Sequence, residues 1–190
     1  MGQVTRVLLC SRNEHKRREL EPALPGWRIE LLGAELPDEE GASYYENARA
    51  KAVFGRTLRP EARQLGEDSG LEVTALGGEP GLHSARWSER PIDELLERLE
   101  GETDREARYV CELVLLEPDG REVRGTGILE GRIAVEPRGS EGFGYDPVFV
   151  PAVTVTAGEQ RTVAELGDAW KSRHSHRARA AQALLDRLAS

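Results

Sequence analysis

A chain of 190 residues is long enough for one sizeable core and short for two independent ones, so a single domain spanning 1–190 is expected. Its net charge of −8 argues against a general nucleic-acid binder, which needs a basic face, but leaves room for an anionic small molecule in a locally positive cleft. No apolar run approaches the roughly 20 residues that span a bilayer, and the opening "MGQVTRVLLC" carries no leader-like apolar region and a poor lipidation signal, so no membrane partner and a cytoplasmic location are expected.

In chain order, Val4–Cys10 reads as a buried strand,. Ser11 or Asn13 can cap the helix that follows, with Leu20 and Leu24 inward and Pro25-Gly26 as its stop,. Trp27–Leu32 alternates as a second strand, and "LPDEEG" is an acidic loop. A helix runs from Ser43 to about Thr57. Leu65–Val73 contains "GEDSGLEV", an acidic turn leading into a strand, and the Gly- and Pro-rich "LGGEPGLHSARW" is loop,. Ile92–Leu99 is a short amphipathic helix. Ala107–Glu117 and Arg121–Gly131 flank "PDG" as a long hairpin,. "SEGFGYDPVFVP" is loop, Ala164–Trp170 a short turn or helix, and His176–Leu188 a final helix. Strands and helices mingle with one antiparallel hairpin, which points to an α/β or α+β fold on a mixed sheet. The two cysteines, Cys10 and Cys111, lie in apolar strand-like runs and are expected to be buried thiols,.

The cations are uneven. Of 26 basic side chains only three, Lys16, Lys51 and Lys171, are lysine. Where arginine is the default, a retained lysine is a candidate for a compact, mobile charge on phosphate. Lys51, mid-helix, suits that role or an ordinary one.

Four segments can carry chemistry. "SRNEHK" combines Ser11, Asn13 and Lys16 with a helix N-terminus, which makes either an anion cradle or a capped helix with a wet basic face. The acidic set Asp38, Glu39, Glu40, Glu67 and Asp68 offers hard oxygen ligands for Mg²⁺ and a proton acceptor, or merely solvated charge; Asp68, between Gly66 and Gly70 and beside apolar residues, is the least loop-like of the five,. In "GFGYDP", Phe143 can stack on a flat heterocycle and Asp146 can accept from it, or the segment is a turn around a core aromatic. "KSRHSHRARA" places Lys171, His176 and Arg177 at a helix start, suited to a carbonyl or phosphate oxygen or to a plain basic cap. No G-x-x-x-x-G-K-[ST] loop occurs,. Taken together the segments describe a site for a nucleoside triphosphate with Mg²⁺.

In the same order, these motifs resemble those of the inosine triphosphate pyrophosphatase family, the noncanonical purine nucleoside triphosphate pyrophosphatases that include bacterial dITP/XTP pyrophosphatases. "SRNEHKRREL" resembles T-x-N-x-x-K-x-x-E-L, and "LPDEEGASYYENARAKA" an acidic-Gly loop followed by E-N-A-x-x-K-A. "EDSGLEVTALGGEPGLHSARW", "EGFGYDPVFVP" and "KSRHSHRARA" resemble the remaining three motifs. The resemblance implies an α/β fold with a mixed, elongated central sheet flanked by helices, in two lobes with the substrate cleft between them, and a homodimer. It implies Mg²⁺-dependent hydrolysis of XTP, ITP and dITP to the monophosphate and pyrophosphate. Ser11, Arg12, Asn13 and Lys16 would line the triphosphate site. Asp38 and Asp68 would bind metal, with Asp68 also the general base and Ser69 a substrate contact. Phe143 would stack on the purine, with Gly144, Tyr145 and Asp146 completing the pocket. Lys171, His176 and Arg177 would read the base, the last two donating to its 6-oxo oxygen; an adenine amino group there would leave buried donors unpaired.

The sequence departs from the family pattern at Ser11 for Thr, Arg12 where Gly is frequent, Asp38 for Glu, Glu67 where Asp is common, and Ala178 for Gly. The shorter Asp38 can pass its metal role to Glu39. Two other readings follow from these departures and from neighbouring chemistry: a nucleotide sensor that no longer hydrolyses, and a pyrophosphatase for modified pyrimidine triphosphates.

Overall fold

The structure is a computed structural model that describes residues 4–190. Positions 1–3, part of the opening read above as a poor lipidation signal, lie outside them. The strands are β1 (Thr5–Leu9), β2 (Trp27–Leu31), β3 (Gln64–Val73), β4 (Glu106–Leu116), β5 (Glu122–Ile133) and β6 (Phe149–Pro151). The helices are α1 (Glu14–Ala23), α2 (Tyr44–Leu58), α3 (Pro91–Arg98), α4 (Ala152–Thr156), α5 (Val163–Leu166), α6 (Asp168–His174) and α7 (His176–Leu188). The strands form one sheet in the order β2-β1-β3-β4-β5-β6. β1 runs parallel to both β2 and β3, while β5 and β6 are antiparallel, so the sheet is mixed, as expected.

Local chemistry sets the helix starts. Asn13 is extended, and its side chain accepts from the His15 and Lys16 amides to open α1,. Ser43 does the same for the Glu46 amide at the head of α2. β4 and β5 are joined by a turn in which the Glu117 amide donates to the Arg121 carbonyl, with Gly120 at φ +95°,.

Two segments differ from their sequence readings. "GEDSG" is not a turn; Gly66–Gly70 are interior residues of β3, and four of the five are buried. Neither glycine has positive φ. Gly66 serves helix packing instead: a Cβ there would lie 1.8 Å from the Ala48 carbonyl oxygen of α2. The "GFGYDPVFVP" loop also ends in a strand, the short β6.

The chain divides into two compact units. The first gathers Met1–Asp68, Cys111–Gly127 and His176–Ser190, and the second Ser69–Val110 and Ile128–Ser175. In the first, strand alternation splits the core by face. Cys111, Leu113 and Leu115 of β4 join a cluster with Leu20 of α1 and Ala180 and Leu184 of α7. Val114 and Leu116 join Ala48 and Ala52 of α2. α7 lies so close to β5 that a Cβ on Gly127 would come 2.0 Å from the His176 carbonyl oxygen. The second unit packs around Leu71, Leu95, Ile133 and Phe149, with the Tyr109 and Phe149 ring centroids 4.5 Å apart.

Both cysteines are free and buried. Burial pushes the Cys10 thiol up to about 12 and the Cys111 thiol well above its ordinary value, so both are inert in the folded chain,. Among the described residues no helix is long and apolar enough to cross a membrane.

Gly127→Ala is expected to lower unfolding free energy by about 1–3 kcal/mol through overpacking of α7, read as a lower denaturant midpoint at unchanged m-value.

Candidate active site

Glu67 and Asp68 are consecutive on β3, so their side chains leave opposite faces of the strand. Each finds cations supplied by different helices. Glu67 is 1% exposed. Lys16 of α1 reaches its Oε2 at 2.5 Å, and Arg177 of α7 donates from Nε to its Oε1 at 3.0 Å. Arg177 also donates from a terminal nitrogen to Glu19 at 3.0 Å. Burial disfavours the Glu67 charge, but Lys16, Arg177 and Lys51 outweigh it and hold the carboxyl well below the usual range,. The same pairing keeps the Arg177 guanidinium, itself buried, firmly protonated.

Asp68 faces α2. Lys51 donates to its Oδ1 at 2.8 Å, and Asn47, one turn earlier, donates to its Oδ2 at 3.1 Å. Lys51 also donates to the Glu67 carbonyl at 3.1 Å and is ion-paired with Glu39 of the acidic loop. Burial raises the Asp68 carboxyl above its ordinary value; Lys51 opposes that, and Glu67 and Glu39 add to it. A raised carboxylate at the end of a cation network is poised to take a proton.

Two acids of the loop differ in their settings. Glu39 is half-buried and reaches Lys51, whereas Asp38 is exposed. Among the described residues no cluster of three or more His, Cys, Asp or Glu is arranged to hold a metal. Two carboxylates, Glu39 and Asp68, are nonetheless gathered around the Lys51 ammonium. That donor set suits an ion such as Mg²⁺, which takes one or two carboxylates and fills its shell with water and phosphate, and it does not suit an all-protein cage.

The N-terminal segment is more specialised than a bare helix start. Asn13 Oδ1 already accepts from the His15 and Lys16 amides at 2.9 and 3.3 Å, and Ser11, buried, accepts from the Asn13 amide at 3.0 Å. Those donors are spent on capping, which leaves Lys16 Nζ as the main charge this turn offers. Arg12 is exposed.

In the second unit, Phe143, Asp146 and Lys171 converge. The Lys171 ammonium lies 4.1 Å from the Phe143 ring centroid and 2.5 Å from Asp146 Oδ2, and the Phe143 amide donates to that oxygen at 2.8 Å,. Asp146 and Lys171 are buried and Phe143 is half-buried. Gly144 is exposed at φ +61°, and buried Tyr145 donates to the Ser84 carbonyl at 3.3 Å. Ser69 is half-buried in β3, and His176, buried, opens α7 in the first unit.

A cavity of about 900 Å³ in the second unit contains none of these residues. Two of its arginines are engaged: Arg108 donates to Glu72 at 2.7 Å, and Arg105 donates to the carbonyls of Leu99, Ile133 and Ala134.

A comparison with protein-family models matches residues 7–187 to the Ham1 family. The chain belongs to the Ham1 family. The curated relatives of this Ham1 chain include a dITP/XTP pyrophosphatase of Deinococcus deserti, 45% identical with 94% of this chain and 86% of that one covered. Another, from Thermus thermophilus, is 46% identical with 95% and 90% covered. Among solved structures, a Staphylococcus aureus Ham1 protein superposes with a TM-score of 0.83 at 31% identity, covering 97% of this chain and 98% of that one. A nucleoside-triphosphatase / dITP/XTP pyrophosphatase of Mycobacterium abscessus gives 0.73 at 38% identity, covering 97% and 100%.

Sequence reasoning leaves Asn47 unmarked, reads Lys51 as either a phosphate charge or an ordinary helix residue, and offers Glu67 only as one of five acids for a metal. The spacing of Asn47 and Lys51 in "ENARAKA" puts both on one helix face, which is the local signal for Asn47.

Glu67→Ala is expected to destabilise the protein by about 3–5 kcal/mol, because it strips a buried arginine of one partner. Removing the exposed Arg28–Glu30 pair is expected to cost under about 1 kcal/mol. Chemical denaturation of both variants checks the contrast.

Proposed function

We propose that this Ham1-family chain hydrolyses the noncanonical purine nucleoside triphosphates XTP, ITP and dITP to the monophosphate and pyrophosphate. The observation that carries the reading is Asp68: a buried carboxylate with a raised proton affinity, held at both oxygens by α2 and next to a cation-lined strand face. Asp68 takes the proton of a water whose oxygen attacks the α-phosphorus. The bond from that phosphorus to the bridging oxygen breaks, and pyrophosphate leaves with the electron pair.

Lys16 and Lys51 supply positive charge for the phosphates. Ser11, Arg12 and Asn13 complete the phosphate-side segment. Mg²⁺ is the proposed ion, held by Asp68 and by Glu39 in preference to Asp38. When bound, it neutralises phosphate charge and acidifies water. Glu67 keeps Lys16 in place between turnovers.

For the base, the reading rests on Phe143 as a stacking surface, fixed through its amide by Asp146 and backed by Lys171, with Gly144 and Tyr145 shaping that turn. Ser69 is the proposed substrate contact on β3. His176 and Arg177 are proposed as donors to the 6-oxo oxygen, with Glu67 and Glu19 fixing the guanidinium plane. A cytoplasmic homodimer is the assembly that the family resemblance supports, and light scattering at twice the chain mass would check it.

With XTP and Mg²⁺, pyrophosphate is the expected direct product, chelation by EDTA is expected to stop turnover, and Asp68→Asn is expected to lower kcat by about 10²–10⁴-fold. Orthophosphate as the first product, or an unimpaired Asp68→Asn enzyme, would overturn the reading. Phe143→Ala is expected to raise KM for XTP about tenfold or more, the loss of one base–aromatic stack. Running 5-methyl-UTP alongside XTP separates purine from pyrimidine preference.

A further inference from the structure

We infer that Asn47 is a positioning residue that sets the orientation of Asp68 and locks the acidic loop to it. This rests on the reading of Asp68 as the proton acceptor. Asn47 is 2% exposed, and both ends of its carboxamide are used. Its Oδ1 accepts from the Gly41 amide at 2.8 Å, and its Nδ2 donates to Asp68 Oδ2 at 3.1 Å. The amide orientation is forced, because a backbone N–H can only donate and a carboxylate can only accept.

The loop approaches Asn47 too closely for any other residue at position 41. A Cβ on Gly41 would lie 2.5 Å from Asn47 Oδ1 and 2.8 Å from Glu46 Cβ. A second tie runs one turn along the helix, where Lys51 pairs with Glu39 and donates to Asp68 Oδ1. α2 therefore grips the loop at residues 39 and 41, and both grips continue to the two oxygens of one carboxylate. With each oxygen committed to a separate donor, the Asp68 carboxylate cannot rotate about its terminal bond. A general base misplaced by an ångström loses about 10²-fold in rate, so this contact belongs to the catalytic step more than to nucleotide affinity.

A third contact supplies the control. Glu46 accepts from the Ala42 amide at 2.6 Å, which holds the same loop to the same helix without touching Asp68.

The test is steady-state XTP hydrolysis by the full chain with Asn47→Ala, Gly41→Ala, the double variant and Glu46→Ala, each with its melting temperature. Asn47→Ala and Gly41→Ala are each expected to lower kcat about 10- to 100-fold while KM for XTP stays within about threefold. The double variant is expected to be no slower than the slower single, because both act through one contact. Glu46→Ala is expected to retain kcat within about twofold. An unchanged kcat in folded Asn47→Ala would overturn the inference, as would multiplicative losses in the double variant or an equal loss in Glu46→Ala. Asp68→Asn in the same series tests the underlying reading separately: a fully active Asp68→Asn enzyme sinks that reading, whatever Asn47→Ala does.

Discussion

The structure turns on the burial of two neighbouring carboxylates in the middle of a central strand. An unpaired ion in that setting costs several kcal/mol, so the fold must bring cations to both. Strand geometry sends their side-chain contacts to different helices, because Glu67 and Asp68 leave opposite faces, although the Lys51 charge is felt by both. The first unit therefore needs a helix layer on each side: α1 with α7 for Glu67, and α2 for Asp68. The glycines of β3 and β5 follow from the same demand. Gly66 and Gly127 have given up their side chains where α2 and α7 press against the sheet. Arms as short as that of Asn47 reach their acceptors only because the backbones are this close.

The division of labour among cations follows. Each of the three lysines ends on an acid: Lys16 on Glu67, Lys51 on Asp68, and Lys171 on Asp146. A point charge with three donors suits a group that must serve several acceptors at once, as Lys51 does. Arg177 does the opposite. Its planar fork bridges two carboxylates, and that shape makes it a strut.

Legibility in the sequence was uneven for physical reasons. β1, α2 and α7 could be read because caps and apolar period are local. The five motifs pointed to the family and to Asp68. The strand through "GEDSG" was misread as a turn because a glycine kept for close packing looks the same on paper as one kept for positive φ. Asn47 goes unmarked, and Glu67 is offered as a metal ligand and not as a partner of Arg177, because their partners lie 21 and 110 residues away and nothing local marks a long-range hydrogen bond. Lys51 read equally well as a surface residue until Asp68 stood opposite it. At Asn13 the sequence leaves an anion cradle and a capped helix both open, and in the structure its side chain caps α1 by accepting from the His15 and Lys16 amides,.

The place of Arg177 in α7 bears on how the protein comes into being on the ribosome. The first unit is assembled from three separated stretches, and the last of them begins at His176. Until that stretch has been synthesised, Glu67 has Lys16 but no guanidinium, and the surface of β5 at Gly125 and Gly127 has no helix to cover it. The nascent chain can form its earlier strands and still lack a settled charge balance at the heart of the sheet. A fragment released before α7 is made would therefore lack both the Arg177 partner of Glu67 and the helix that covers β5.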